Sequence, residues 1–167
     1  MYFQIEMSKN AVTVEHLRLA CRHVEEMLGA GVSENFAIRT LELFADVFAK
    51  RHMGGRGKNS PHHVDQVELW SLAAISMRDS DPSAKGGSHF RVEHGTPRRG
   101  FARRILKFYK DGMLNEGSLA QLVENQWKLA VITLEEDRLL NKKARSTLFE
   151  TPEERWRSVG IEFPPVG

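Results

Sequence analysis

The chain has 167 residues, 41% of them hydrophobic and 28% charged, with a formal net charge of +2; this apolar content supports a packed core and excludes a disordered tail. The length fits one domain, or a compact domain with a helical annex. Cys21 is the only cysteine, which excludes an intramolecular disulfide and the usual thiolate zinc sites, and no apolar run reaches the roughly 18 residues of a membrane span.

The first residues, Met1 to Glu6, join no periodic pattern, and Tyr2-Phe3-Gln4 is similar to part of a protease-cleavage linker. Residues 1–8 are therefore set aside as a tag or disordered start, with Met7 as the expected natural beginning. No basic segment leads into an apolar one, so no secretory leader and a cytoplasmic setting are expected. Residues 9–79 form a helical region. Thr13 can cap a helix running to about Leu28, in which Leu17, Cys21, Val24 and Leu28 make one apolar face. Gly29 and Gly31 end it. Ser33 caps a second helix to about His52, with Phe36, Leu41, Phe44, Val47 and Phe48 as its core face, and the short link makes an antiparallel hairpin. Gly54-Gly55-Arg56-Gly57-Lys58 is a glycine-rich basic loop that could approach phosphates, although it lacks the Lys-Ser/Thr ending of a nucleotide-binding loop. Ser60 and Pro61 then start a third helix with Val64, Val67, Trp70, Ala74 and Met77 as its stripe.

Residues 80–88 are rich in turn formers and are expected to link this helical part to an α+β region, 89–160. His89 to Val92 alternates, so Phe90 and Val92 point to one side of a strand and Arg91 and Glu93 to the other. Gly95 and Pro97 stop the strand, leaving Glu93 and His94 at the mouth of a turn. Gly100 to Lys110 reads as a short helix, and Ser118 can cap another. Lys128 to Thr133 is the strongest strand in the chain. Thr133 and Glu136 form a capping box for a helix to about Ala144. Thr151-Pro152-Glu153-Glu154 opens a last short helix, docked by Trp156 and ended by Gly160, before an extended tail, 161–167. The fold class is mainly α with a small β element, all of it fitting one compact domain.

The basic residues are unevenly spread. Lys50, Arg51, Arg56 and Lys58 form one run without an acid, and Arg98, Arg99, Arg103, Arg104, Lys107 and Lys110 form a second. Such clusters suit a polyanion such as nucleic acid, or serve only as a solvated face.

Glu93-His94-Gly95-Thr96-Pro97 resembles the first motif of the HNH, or ββα-metal, nucleases, in which an acid and a histidine end a strand and proline follows. Asn125 to Thr133 and then Leu134 to Lys143 supply the order of that motif's second half, a strand leading into a helix. The resemblance spans about residues 91–143. It implies His94 as general base, Asn125 as the asparagine that orients it, and Glu93 with Asp137 or Asn141 as ligands of a divalent ion, Mg or Mn. Arg98, Arg99, Arg103, Arg104 and Lys107, with Arg56 and Lys58, would then hold nucleic-acid phosphates. The implied activity is metal-dependent hydrolysis of phosphodiesters, which needs a base near neutral pKa and hard oxygen ligands. The sequence departs from the family in having no Cys-x-x-Cys knuckles and a long span between His94 and Asn141. A second reading is a non-catalytic helical module that binds nucleic acid, a protein partner or its own copy through the two basic clusters.

Overall fold

The computed structural model of the chain describes residues 11–54, 61–145 and 147–167. The architecture is mainly helical, with one two-stranded antiparallel sheet. Helices α1 (Val14–Gly29), α2 (Glu34–Ala37) and α3 (Arg39–Met53) come first, followed by a 3-10 turn (Pro61–Gln66) and α4 (Leu72–Ser80). Strand β1 (Phe90–His94) leads to α5 (Arg98–Lys110) and α6 (Glu116–Gln126), and strand β2 (Leu129–Thr133) runs directly into α7 (Leu134–Lys143), with α8 (Pro152–Arg157) last.

Hydrophobic periodicity explains the first cluster of the core. Leu17, Cys21 and Val24 of α1 and Ile38, Leu41, Ala45 and Ala49 of the next segment pack against Phe101 and Ile105 of α5 and Leu119, Val123 and Trp127 from α6 and its end. The second expected helix is broken at Ile38, which closes α2 and begins α3. As a result Phe36, expected in the core, is 68% exposed, and small residues, Ala45 and Ala49, take the inner face. That choice lets α5 approach α3 closely.

The expected third helix is interrupted. Its stripe is split between the 3-10 turn, an extended stretch at residues 67–71, and α4. Val131 N donates to the Leu69 carbonyl at 2.8 Å and Ser71 N donates to the Val131 carbonyl at 3.0 Å, so the free edge of β2 recruits this stretch as a parallel bridge. A strand edge with unpaired groups is a strong competitor for a backbone that periodicity alone leaves helical. Ser71, in the middle of the expected helix, instead caps α4 by accepting from Ala74 N at 3.1 Å. Likewise Asn115 and not Ser118 caps α6, with Ser118 serving as the third residue of its capping box.

The sheet lies between two further clusters. Phe90, Leu129 and Val131 face Val64, Val67, Trp70 and Ala74. Ala130 and Ile132 face Leu140 and Ala144 with Trp156 and Ile161. All five β2 residues are buried, as expected of a strand covered on both sides. These clusters join residues from either side of the turn-rich stretch 80–88.

Candidate functional site

The pairing register places the motif. Glu93 stands opposite Ala130 and His94 opposite Leu129, so Glu93 shares the sheet face of Ala130 and Ile132 and looks toward α7 and α8. There Arg155 of α8 donates from Nη1 to a Glu93 carboxylate oxygen at 2.7 Å and to the His94 carbonyl at 3.1 Å, while its Nε donates to the Ala144 carbonyl at 3.2 Å. Arg155 is 4% exposed. Burial raises the Glu93 carboxyl above its ordinary value; Arg155 works against that rise and the Asp137 charge adds to it.

The His94 ring meets Trp127 edge-on with centroids 4.9 Å apart. Burial pushes the imidazole down to about 4; Asp46 opposes this and Arg98, Lys50 and Arg155 reinforce it. His94 is thus neutral at ordinary pH and free to accept a proton, although burial takes it well below the near-neutral value expected of a general base. In the unfolded chain its value returns to about 6.5. Folding stability is therefore unaffected by His94 above that value, falls as pH drops from about 6.5 to about 4, and changes no further below, where both states carry the proton. The full loss is on the order of 3 kcal/mol. Glu93 has the opposite sign: its raised value favours the fold in acid and the contribution is lost as pH rises through it. Urea denaturation of the wild type minus His94→Gln between pH 7.5 and 4 isolates the histidine, and a pH-independent difference would contradict this assignment.

Gly95 owes its place to crowding. Its N–H donates to the Lys128 carbonyl at 2.8 Å, and an added Cβ would lie 2.2 Å from Pro152 Cβ and 3.0 Å from the Trp156 ring. Gly95→Ala should push α8 off the strand end and destabilise the fold by about 1–3 kcal/mol, measured as a lowered urea midpoint. Thr96 next to it is buried and donates from Oγ1 to Gln126 Oε1 at 2.8 Å, while Gln126 Nε2 donates to the Glu150 carbonyl at 2.9 Å.

These side chains open on a cleft of about 510 Å³. Glu93, His94 and Asn141 line it together, and Arg98, Arg99, Arg103, Arg145 and Arg155 supply its cations. Asp137, one turn before Asn141 on α7, is half-buried. The α5 arginines are not the unopposed run that the sequence suggests. Arg98 holds Asp46 at 2.9 Å, Arg99 holds Glu42 at 2.6 Å, and Arg103 holds Glu34 at 2.6 Å. The acids fall in number as the arginines rise, so α5 runs antiparallel to α2 and α3. Arg104 donates instead to the carbonyls of Phe149 and Glu150, and Lys107 pairs with Asp111, the residue that caps the end of α5.

Asn125 is exposed near the end of α6 and is not among the residues lining the cleft. The buried amide of that turn is Gln126, which braces the Thr96 turn beside His94. Arg56 and Lys58 lie outside the described residues. Sequence reasoning missed Asp46, Gln126, Arg145 and Arg155. The only signal for Arg155 was its place in the capped segment that carries Trp156. Among the described residues no three His, Cys, Asp or Glu side chains are grouped so as to hold a metal ion, and no helix is long and apolar enough to cross a membrane. No protein-family model, curated protein or solved structure matches the chain.

Proposed function

We propose that the chain hydrolyses phosphodiesters of nucleic acid in this cleft, in the manner of the ββα-metal nucleases. The observation that carries the reading is the meeting of Glu93, His94 and Asn141 in one cleft, at the end of an antiparallel strand pair that runs straight into α7. His94, half-buried and neutral, accepts the proton of the attacking water. Arg155 fixes the Glu93 carboxylate and the His94 carbonyl, so the base is held from its backbone as well as its ring. The arginine-lined wall binds the phosphate.

A divalent ion suits the donor chemistry of α7 more than that of β1. The Glu93 carboxylate is engaged by Arg155, whereas Asn141 and Asp137 offer hard oxygens on one helical face. Magnesium is commonly held by one or two protein oxygens together with substrate phosphates, and such an ion would supply charge stabilisation of the leaving oxygen. The test is cleavage of plasmid DNA, single-stranded DNA and structured RNA with Mg²⁺ or Mn²⁺ and with EDTA, comparing wild type with His94→Gln. The other reading, a binding module without catalysis, draws on the same arginines. It takes over if the wild type binds nucleic acid and cuts none of the three substrates.

A further inference from the structure

The charges of the cleft are matched almost one to one. Arg98, Arg99, Arg103 and Arg155 each face a carboxylate, those of Asp46, Glu42, Glu34 and Glu93. Arg145 also lines the cleft and is exposed, and among the described residues it forms no hydrogen bond or ion pair. It follows Ala144, whose carbonyl is pinned by Arg155, so its backbone is fixed although its guanidinium is uncommitted. Asn141 and Thr147 flank it on the cleft wall, and Leu148, 51% exposed, adds an apolar surface.

We propose that the cleft takes one phosphodiester of a single-stranded nucleic acid, held by Arg145. This rests on the cleft being the site of the hydrolysis proposed above and narrows its substrate. One uncommitted cation matches the single charge of a diester linkage, whereas a terminal phosphate monoester carries close to two. Duplex-binding faces work differently, spreading many unpaired cations along the backbone and releasing many counterions. Here Arg98, Arg99 and Arg103, the α5 cations that line the cleft, are already paired with carboxylates of α2 and α3. A concave site of this volume has the size of a small-ligand pocket, and one linkage of a flexible strand can enter it with a base resting on Leu148.

Fluorescence anisotropy in EDTA tests this with a labelled single-stranded oligonucleotide, the same sequence as a duplex, and a nucleoside monophosphate as competitor. The single strand should bind more tightly than the duplex and resist the monophosphate. The logarithm of the association constant should fall with the logarithm of salt with a slope of about −0.7, the value for one phosphate contact on a single strand. Arg145→Gln should weaken binding about tenfold, the effect of losing one charged hydrogen bond, and flatten that slope, while Arg145→Lys keeps it. Tighter duplex binding, effective competition by the monophosphate, a slope several times steeper or an unchanged Arg145→Gln would overturn the proposal, and so would absence of binding. Cleavage by His94→Gln is scored separately. If the wild type cuts no substrate while the Arg145 results hold, the hydrolytic reading fails and the single-strand site stands.

Discussion

Arg155→Met should destabilise the fold by about 3 kcal/mol, and Glu93→Gln in the same chain should recover much of that loss. The reason is asymmetry in how buried pairs behave. An intact buried ion pair contributes little net stability, because both ions give up their hydration, but removing one partner strands the other. Arg155 is 4% exposed and the Glu93 side chain 19%, so a lone Glu93 carboxylate would keep only partial access to water. Its raised pKa gives it one escape, protonation, and the penalty should therefore shrink in mild acid. Arg155 also donates to the carbonyls of Ala144 and His94, and Glu93→Gln does not restore those bonds, so recovery is incomplete. Urea denaturation at pH 7.5 and pH 5 on wild type, both single variants and the double variant gives the coupling directly. A loss below about 0.5 kcal/mol for Arg155→Met, the scale of an ordinary surface change, would show that the pair does not hold α8 to the strand end.

His94→Gln should reduce cleavage by at least about a hundredfold, the lower bound for removing a positioned general base, while leaving substrate binding close to that of wild type. Glutamine keeps an amide in the space beside Trp127 and cannot take up the proton. The fold should survive, because the ring contributes contact with Trp127 and no charge at neutral pH. Circular dichroism and a melting curve recorded beside the rate establish that the loss is chemical. Equal cleavage by the variant would remove His94 from the mechanism.

Parts of the site were legible because they depend on short-range rules. The alternation from Phe90 to Glu93 fixed which side chains share a face, and Thr133 with Glu136 marked where β2 ends and α7 begins, with Glu136 N donating to Thr133 Oγ1 at 3.2 Å. Arg98 to Lys110 looked like a bare basic helix because its counter-charges, Glu34, Glu42 and Asp46, lie more than fifty residues earlier, on elements whose packing angle no local pattern states. Asn125 was assigned to the site by the resemblance to the HNH nucleases. The helix phase turned it outward and buried Gln126 in its place.

What the sequence alone determined was the set of elements that follow from periodicity and capping: α1, both strands, α7 and α8, the mainly helical class, and Glu93 and His94 at a strand end. What the tertiary structure decided was everything that needs two distant segments at once. The free edge of β2 drew the residues around Trp70 out of helix, α8 delivered Arg155 to Glu93, and α2 and α3 paired with Arg98, Arg99 and Arg103, leaving Arg145, among the described residues, as the cleft cation without a carboxylate. Hydrophobic spacing encodes which face a residue takes on its own element. Ion pairs and strand edges are satisfied only by whatever the fold brings within hydrogen-bonding reach.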